Sequence, residues 1–176
     1  MNRDELLEKA KKGDKEAFGF LYKEYFNKIY RYCRANMYQE ELASDVAQET
    51  FLRAWKSLPG FTQTENGTFQ SYLFTIARNL IVDLSRKQRD IPLETLEEKA
   101  ANDNVEEGYD RKEKNLTVKR ALSLLNELDR QIIILRYFEE LKYEDVAWLL
   151  GINAGALRVR TSRILKKLYN IIKKNK

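Results

Sequence analysis

Arg158, Arg160, Arg163 and Lys166 belong to a run of one charge sign: from Asn153 to Lys176 the chain carries eight basic side chains and no acidic one. Such groups at helical spacing are chemistry for polyanions, since an arginine fork matches a phosphate or the O6/N7 edge of guanine and a lysine supplies a point charge. A helix that is merely solvated mixes signs, with acids in its first turn and i,i+4 pairs along its face. Here Leu157, Thr161, Ile164 and Leu168 form an inward stripe. Opposite lie Gly155, Val159, Ser162 and Lys166, with Arg158 and Arg163 on the shoulders. A charge run alone is also compatible with a solvated face.

Two further clusters carry chemistry. In "SDVAQETFLRAWKSLPGF", Ser44 is expected as the N-cap and Pro59-Gly60 as the stop. Ala47, Phe51, Ala54 and Leu58 then face inward, while Asp45, Gln48, Glu49 and Arg53 face out. Composition admits two readings: acids suited to a helix dipole, or a polar docking patch. In "GTFQSYLFTIARNLIVDLSRKQR", Thr68 can cap, and Phe69, Tyr72, Leu73, Ile76, Ala77, Leu80 and Leu84 make a core stripe. Phe74, Arg78, Asn79, Val82, Arg86 and Lys87 are expected to point away from it, followed by Arg89. A basic helix with aromatics nearby, such as Phe61 and Phe74, can track a single strand and stack its bases; for each ring the competing place is the core.

The absent residue types exclude much else. The chain has no histidine and a single cysteine, which removes Ser/His and Cys/His catalysis and the commonest zinc sites. No phosphate-cradling glycine loop appears, so neither an enzyme nor a cofactor or metal is expected. Cys33 lies in "NKIYRYCRANM" and is expected as a small buried hydrophobe. With no signal peptide and no apolar run long enough to span a bilayer, the expected place is the cytoplasm, without membrane insertion.

The elements that must position these groups are helices. Apolar residues recur at helical spacing, and period-two runs with turn dipeptides are missing, which predicts an all-α protein. "LKYEDVAWLLGINAGALRVR" reads as a helix over 143–150, a turn at Gly151, an N-cap at Asn153 and the basic helix: a helix-turn-helix. Its second helix suits a major groove, the first crossing the backbone. Charge divides the chain: residues 1–89 carry 15 basic and 12 acidic side chains, 90–110 carry 1 and 8, and 111–176 carry 16 and 7. The middle part, with Pro92 and Gly108, reads as an acidic flexible linker over 90–114 between two small helical domains, 1–89 and 115–176; an acidic surface helix is its alternative.

The blocks "DVAQETFLRAWKSLPGF", "FQSYLFTIARNLIVDLSRKQR" and "LNELDRQIIILRYFEELKYEDVAWLLGINAGALRVRTSRILKKL", in that order around an acidic segment, resemble bacterial RNA polymerase sigma factors of the extracytoplasmic-function (ECF) group. The resemblance implies a region 2 helical bundle that melts the minus-ten element and a region 4 helix-turn-helix that reads the minus-thirty-five element. It implies RNA polymerase core and promoter DNA as partners, and an anti-sigma factor as a further one. Asp45, Gln48 and Glu49 match positions that dock on the clamp helices of the polymerase. Arg78 and Asn79 match the stretch beside the pocket for a flipped minus-ten base, and Phe61 is expected as a further minus-ten contact. Arg86, Lys87 and Arg89 are then expected on phosphates. In the third block Arg136 and Tyr143 match positions at the phosphates beside the groove. Asn153, Gly155, Arg158, Val159, Arg160, Ser162, Arg163 and Lys166 form the minus-thirty-five surface.

This chain departs from the family pattern at Asn126, where many relatives carry proline, and at Ala156 and Val159 in the recognition helix. An exposed valine reads no donor or acceptor but packs on a thymine methyl, so a thymine is expected opposite Val159 while Arg158 or Arg163 reads a guanine. Arg160 lies nearer the core stripe and is expected on a phosphate or an intramolecular carboxylate. The competing function is an autonomous helix-turn-helix regulator that never joins polymerase, for which the Asp45, Gln48, Glu49 patch has no use. A module that binds only a regulatory protein is a further alternative and predicts no salt-dependent DNA affinity.

Overall fold

A computed structural model describes residues 2–37, 39–63, 67–89, 117–118 and 120–174, with the side chains of 87–89 excepted. The chain divides into two compact units, Met1–Ala101 and Asn102–Lys176. All regular elements among the described residues are helices, as the periodicity predicts. The expected linker, 90–114, lies outside the described residues.

The first unit holds α1 (Arg3–Lys11), α2 (Lys15–Asn36), α3 (Glu40–Ser57), a 3-10 turn (Leu58–Gly60) and α4 (Phe69–Arg89). Gly13, at φ +92°, makes the tight turn out of α1, and Asp14 Oδ1 then caps α2 by accepting from the N–H groups of Glu16 and Ala17, each at 3.0 Å. Thr68 caps α4, its Oγ1 accepting from Ser71 N–H at 3.2 Å. Leu21, Ile29, Tyr32, Phe51, Leu73 and Phe74 fill the core, and each such side chain contributes about 1.5–3 kcal/mol by leaving water. Ala43, Ala47, Ala54 and Ala77 are wholly buried between them and let the helices approach closely. Cys33 is wholly enclosed in α2, and desolvation pushes its thiol up to about 12.

Two local expectations need correction here. Ser44 is not the cap of α3: the helix begins at Glu40 after Gln39, four residues earlier, and Ser44 sits inside it accepting from Gln48. Phe74 does not point away from the core. It is fully buried, edge-on to Tyr32 of α2 with ring centroids 5.2 Å apart, because α2 covers the side of α4 that the single-stripe reading left open.

The second unit holds helical turns at 117–118 and 120–123, α5 (Glu127–Ile133) continued as a π-helix over Ile134–Phe138, α6 (Tyr143–Leu150) and α7 (Ala154–Lys174). Asn126 replaces an expected helix-starting proline by capping: its Oδ1 accepts from Asp129 N–H at 2.9 Å. Gly151 ends α6 at φ +66°, with its N–H on Trp148 O and that of Ile152 on Ala147 O, which turns the chain sharply toward α7. Asn153 Oδ1 then accepts from Gly155 and Ala156 at 2.9 and 3.2 Å. Ile132, Leu135, Val146, Leu157, Thr161 and Ile164 form the core of this unit, and the buried Thr161 hydroxyl is satisfied by Leu157 O at 2.8 Å.

Candidate nucleic-acid interface and docking surface

The inward stripe of α7 is built by Leu157, Thr161 and Ile164, all buried, so the opposite side must face water. Asn153, Gly155, Arg158, Val159, Ser162, Arg163 and Lys166 are all exposed, Val159 to 54%. The three arginines of this helix differ. Arg163 makes no ion pair among the described residues. Arg160 donates from Nε to Asp129 Oδ1 at 2.6 Å, and the Asp129 side chain is only 14% exposed. Of the two partners expected for Arg160, the folded chain supplies the carboxylate.

Arg158 lies between these extremes. Its Nη2 donates to Glu144 Oε1 at 2.5 Å, and its guanidinium sits 5.2 Å from the centre of the Tyr143 ring. Arg136, on the π-helix, stacks on the same ring at 4.7 Å and on Tyr137 at 5.6 Å. Arg136 Nε is buried with no partner among the described residues, so stacking rather than hydrogen bonding holds that end of the guanidinium. Glu144's own backbone N–H in the first turn of α6, and then Arg158, hold its carboxyl below the usual carboxylate range. Sequence reasoning assigned no part to Glu144 or Asp129. The only available signal was an acid next to Tyr143 and another in the first turn of α5.

On α3, Asp45 and Gln48 are exposed and Glu49 is partly exposed, all on one turn as the sequence predicts. Glu49 Oε1 accepts from Arg53 Nε at 2.8 Å, Gln48 donates to Ser44 Oγ at 3.3 Å, and Asp45 is left without an ion pair among the described residues. Beside Gln48 runs an apolar groove of about 360 Å³ between α2 and α3, with Phe18, Tyr22, Phe51, Leu52 and Trp55 on its walls. Leu52, 55% exposed, projects next to the polar turn.

On α4, Asn79 and Arg86 are exposed, seven residues apart and so on one face, and Arg78 is half-buried. Lys87 and Arg89 fall on the last turn, where side chains lie outside the described residues. Phe61 is half-buried, its ring 4.7 Å from Tyr72 and 6.0 Å from Phe69. One side of that ring is thus committed to an aromatic cluster. Phe74, being buried, is unable to stack on a base. Among the described residues no helix is long and apolar enough to cross a membrane, and no group of three or more His, Cys, Asp or Glu could hold a metal ion.

Comparison with known proteins finds two separate regions in the chain. Residues 21–91 match the family model for sigma-70 region 2, and residues 116–168 match that for sigma-70 region 4. The chain is 31% identical over 176 residues to the ECF RNA polymerase sigma factor BldN of Streptomyces coelicolor, covering 96% of this chain and 65% of that one. It is 30% identical over 169 residues to the ECF RNA polymerase sigma factor SigW of Bacillus subtilis, covering 89% of each. Among solved structures, the sigma factor RpoE in complex with the anti-sigma factor NepR from Bartonella quintana has the same fold, with a TM-score of 0.70 at 24% identity over 90% of this chain and 98% of that one.

Proposed function

The chain belongs to the ECF group of RNA polymerase sigma factors, and from that premise we propose how its surfaces divide promoter-directed initiation among them. Region 2, within residues 1–89, docks on polymerase core through Asp45, Gln48 and Glu49. The partly solvated carboxylates and the exposed amide suit a polar partner surface, and the neighbouring Leu52 adds apolar area to the same contact. Asn79 and Arg78 receive an unpaired minus-ten base: extrusion costs a few kcal/mol, and an amide that both donates and accepts offsets part of that cost on the base edge. Arg86, with Lys87 and Arg89, holds phosphates of the single strand, where it adds affinity without sequence choice.

Region 4, within residues 115–176, lays α7 in the major groove at the minus-thirty-five element. Arg158 or Arg163 reads a guanine, Val159 packs on a thymine methyl, and Lys166 and Arg136 with Tyr143 lie by the phosphates. The observation that carries the reading is the pairing, in one chain, of a polar patch on α3 with a helix-turn-helix whose second helix exposes only basic charge. An autonomous regulator would leave the region 2 match over residues 21–91 without a use. The factor performs no catalysis of its own and works in the cytoplasm, where the polymerase is. An anti-sigma factor that covers these surfaces is its further partner, a reading supported by the RpoE complex with NepR.

Run-off transcription tests the whole reading. Purified chain with bacterial core polymerase and a pool of genomic fragments is expected to yield discrete transcripts, and the Asp45→Ala/Gln48→Ala/Glu49→Ala variant to yield few or none. DNA binding by the chain without transcripts or association with core would hand the role to an autonomous regulator.

A further inference from the structure

The three arginines of α7 differ in how much of the molecule already holds them. Arg160 is tied to the largely buried Asp129 at 2.6 Å, and Arg163 makes no ion pair among the described residues. Arg158 is held on two sides, by Glu144 Oε1 at 2.5 Å and by the Tyr143 ring at 5.2 Å, while its side chain stays 54% exposed. A guanidinium carries five N–H donors in a rigid fork. Glu144 engages the fork through Nη2, which leaves other donors of the same group available.

We infer that Glu144 is a positioning residue for base discrimination: it aims Arg158 at a guanine edge and opposes its use on any other part of the DNA. The inference rests on α7 being the minus-thirty-five reader. An untethered arginine side chain explores many rotamers and finds a phosphate at any sequence, a contact that positions but does not specify. A tethered one has given up that freedom before DNA arrives. At a guanine within reach it uses its remaining donors on O6 and N7 and keeps Glu144. At any other sequence it must either leave Glu144 to reach a phosphate or make no contact. Glu144 also brings a negative charge toward a polyanion, which weakens binding to every sequence alike. A promoter reader gains from both effects, because its task is a ratio of affinities rather than an affinity.

The test uses the full chain with core polymerase. A duplex selected by the wild-type holoenzyme from a pool randomised across the upstream element is compared with the same duplex scrambled there. Binding of both is measured for the wild type, Glu144→Gln, Arg158→Ala and the double variant. With Glu144→Gln, binding of the scrambled duplex is expected to tighten and the ratio between the two duplexes to fall by about two- to fivefold, the range of an exposed ion pair. In the Arg158→Ala background the same substitution is expected to leave the ratio unchanged, which a merely structural role for Glu144 does not predict. An unchanged ratio in Glu144→Gln, an equal weakening on both duplexes, or a fall that persists without Arg158 would overturn the inference. If the wild-type holoenzyme selects no upstream sequence at all, the reading of α7 as the reader fails first and takes this inference with it.

Discussion

One residue type has three fates on one helix, and what each arginine can do follows from the carboxylate it meets. Asp129 takes Arg160 Nε with one oxygen at 2.6 Å and Asn126 Nδ2 with the other at 2.9 Å, so it joins the cap of α5 to α7. Removing Arg160 leaves that largely buried carboxylate half-partnered. Arg160→Ala is therefore expected to lower stability by about 1 kcal/mol in urea unfolding and to leave base preference in site selection unchanged. Relaxed preference at a single base pair would show instead that Arg160 reads DNA. The exposed residues of this surface were legible from helical spacing alone, Val159 included. Their internal partners were not: Glu144 lies 14 residues before Arg158 and Asp129 lies 31 before Arg160, and charge pattern along a chain does not say which acid a fold brings to which base.

Among the elements, the turn that leads into α6 carries the one strained backbone position of the described residues that is not glycine. Glu140 has φ +58°, a left-handed conformation that costs an L side chain about 1 kcal/mol or more, and it stands between the π-helix and α6. Glu140→Gly is expected to raise stability by up to about 1 kcal/mol, and Glu140→Val to lower it, in the same unfolding assay. The reverse order would mean that Glu140's side chain contributes more than its backbone costs. Sequence signals served best where one residue closes its own turn, by a capping side chain at Asn153 and Thr68 and by the left-handed backbone of Gly151. They failed at Ser44, a good capping residue placed four residues inside α3 because Glu40 and Glu41 already suit a first turn, and at Phe74, whose covering by Tyr32 depends on how α2 crosses α4. Local chemistry marks helix ends only when no neighbouring residue does the same task.

At the scale of the whole molecule, charge is distributed by task. The net charge is +5, yet residues 90–110 carry eight acids against one base, and Asn153 to Lys176 carries eight bases alone. Binding by displacement of counterions follows the local excess rather than the net value. Lys166→Ala is expected to reduce the steepness of the log affinity against log salt plot by about 1, measured for the full chain with core on promoter DNA. An unchanged slope would place this side chain away from phosphate. The order of the two helical blocks and the acidic stretch between them was legible because it is written in composition. The pairing of Arg158 with Glu144 was not, because it exists only once α6 and α7 meet. Cys33, wholly enclosed with its thiol pushed up to about 12, is the only cysteine in the chain. The protein is therefore silent toward thiol-directed reagents at neutral pH, so a single cysteine introduced at the exposed Ser162 would be the one reactive thiol, a site from which a photoprobe could report which base pair lies beneath α7.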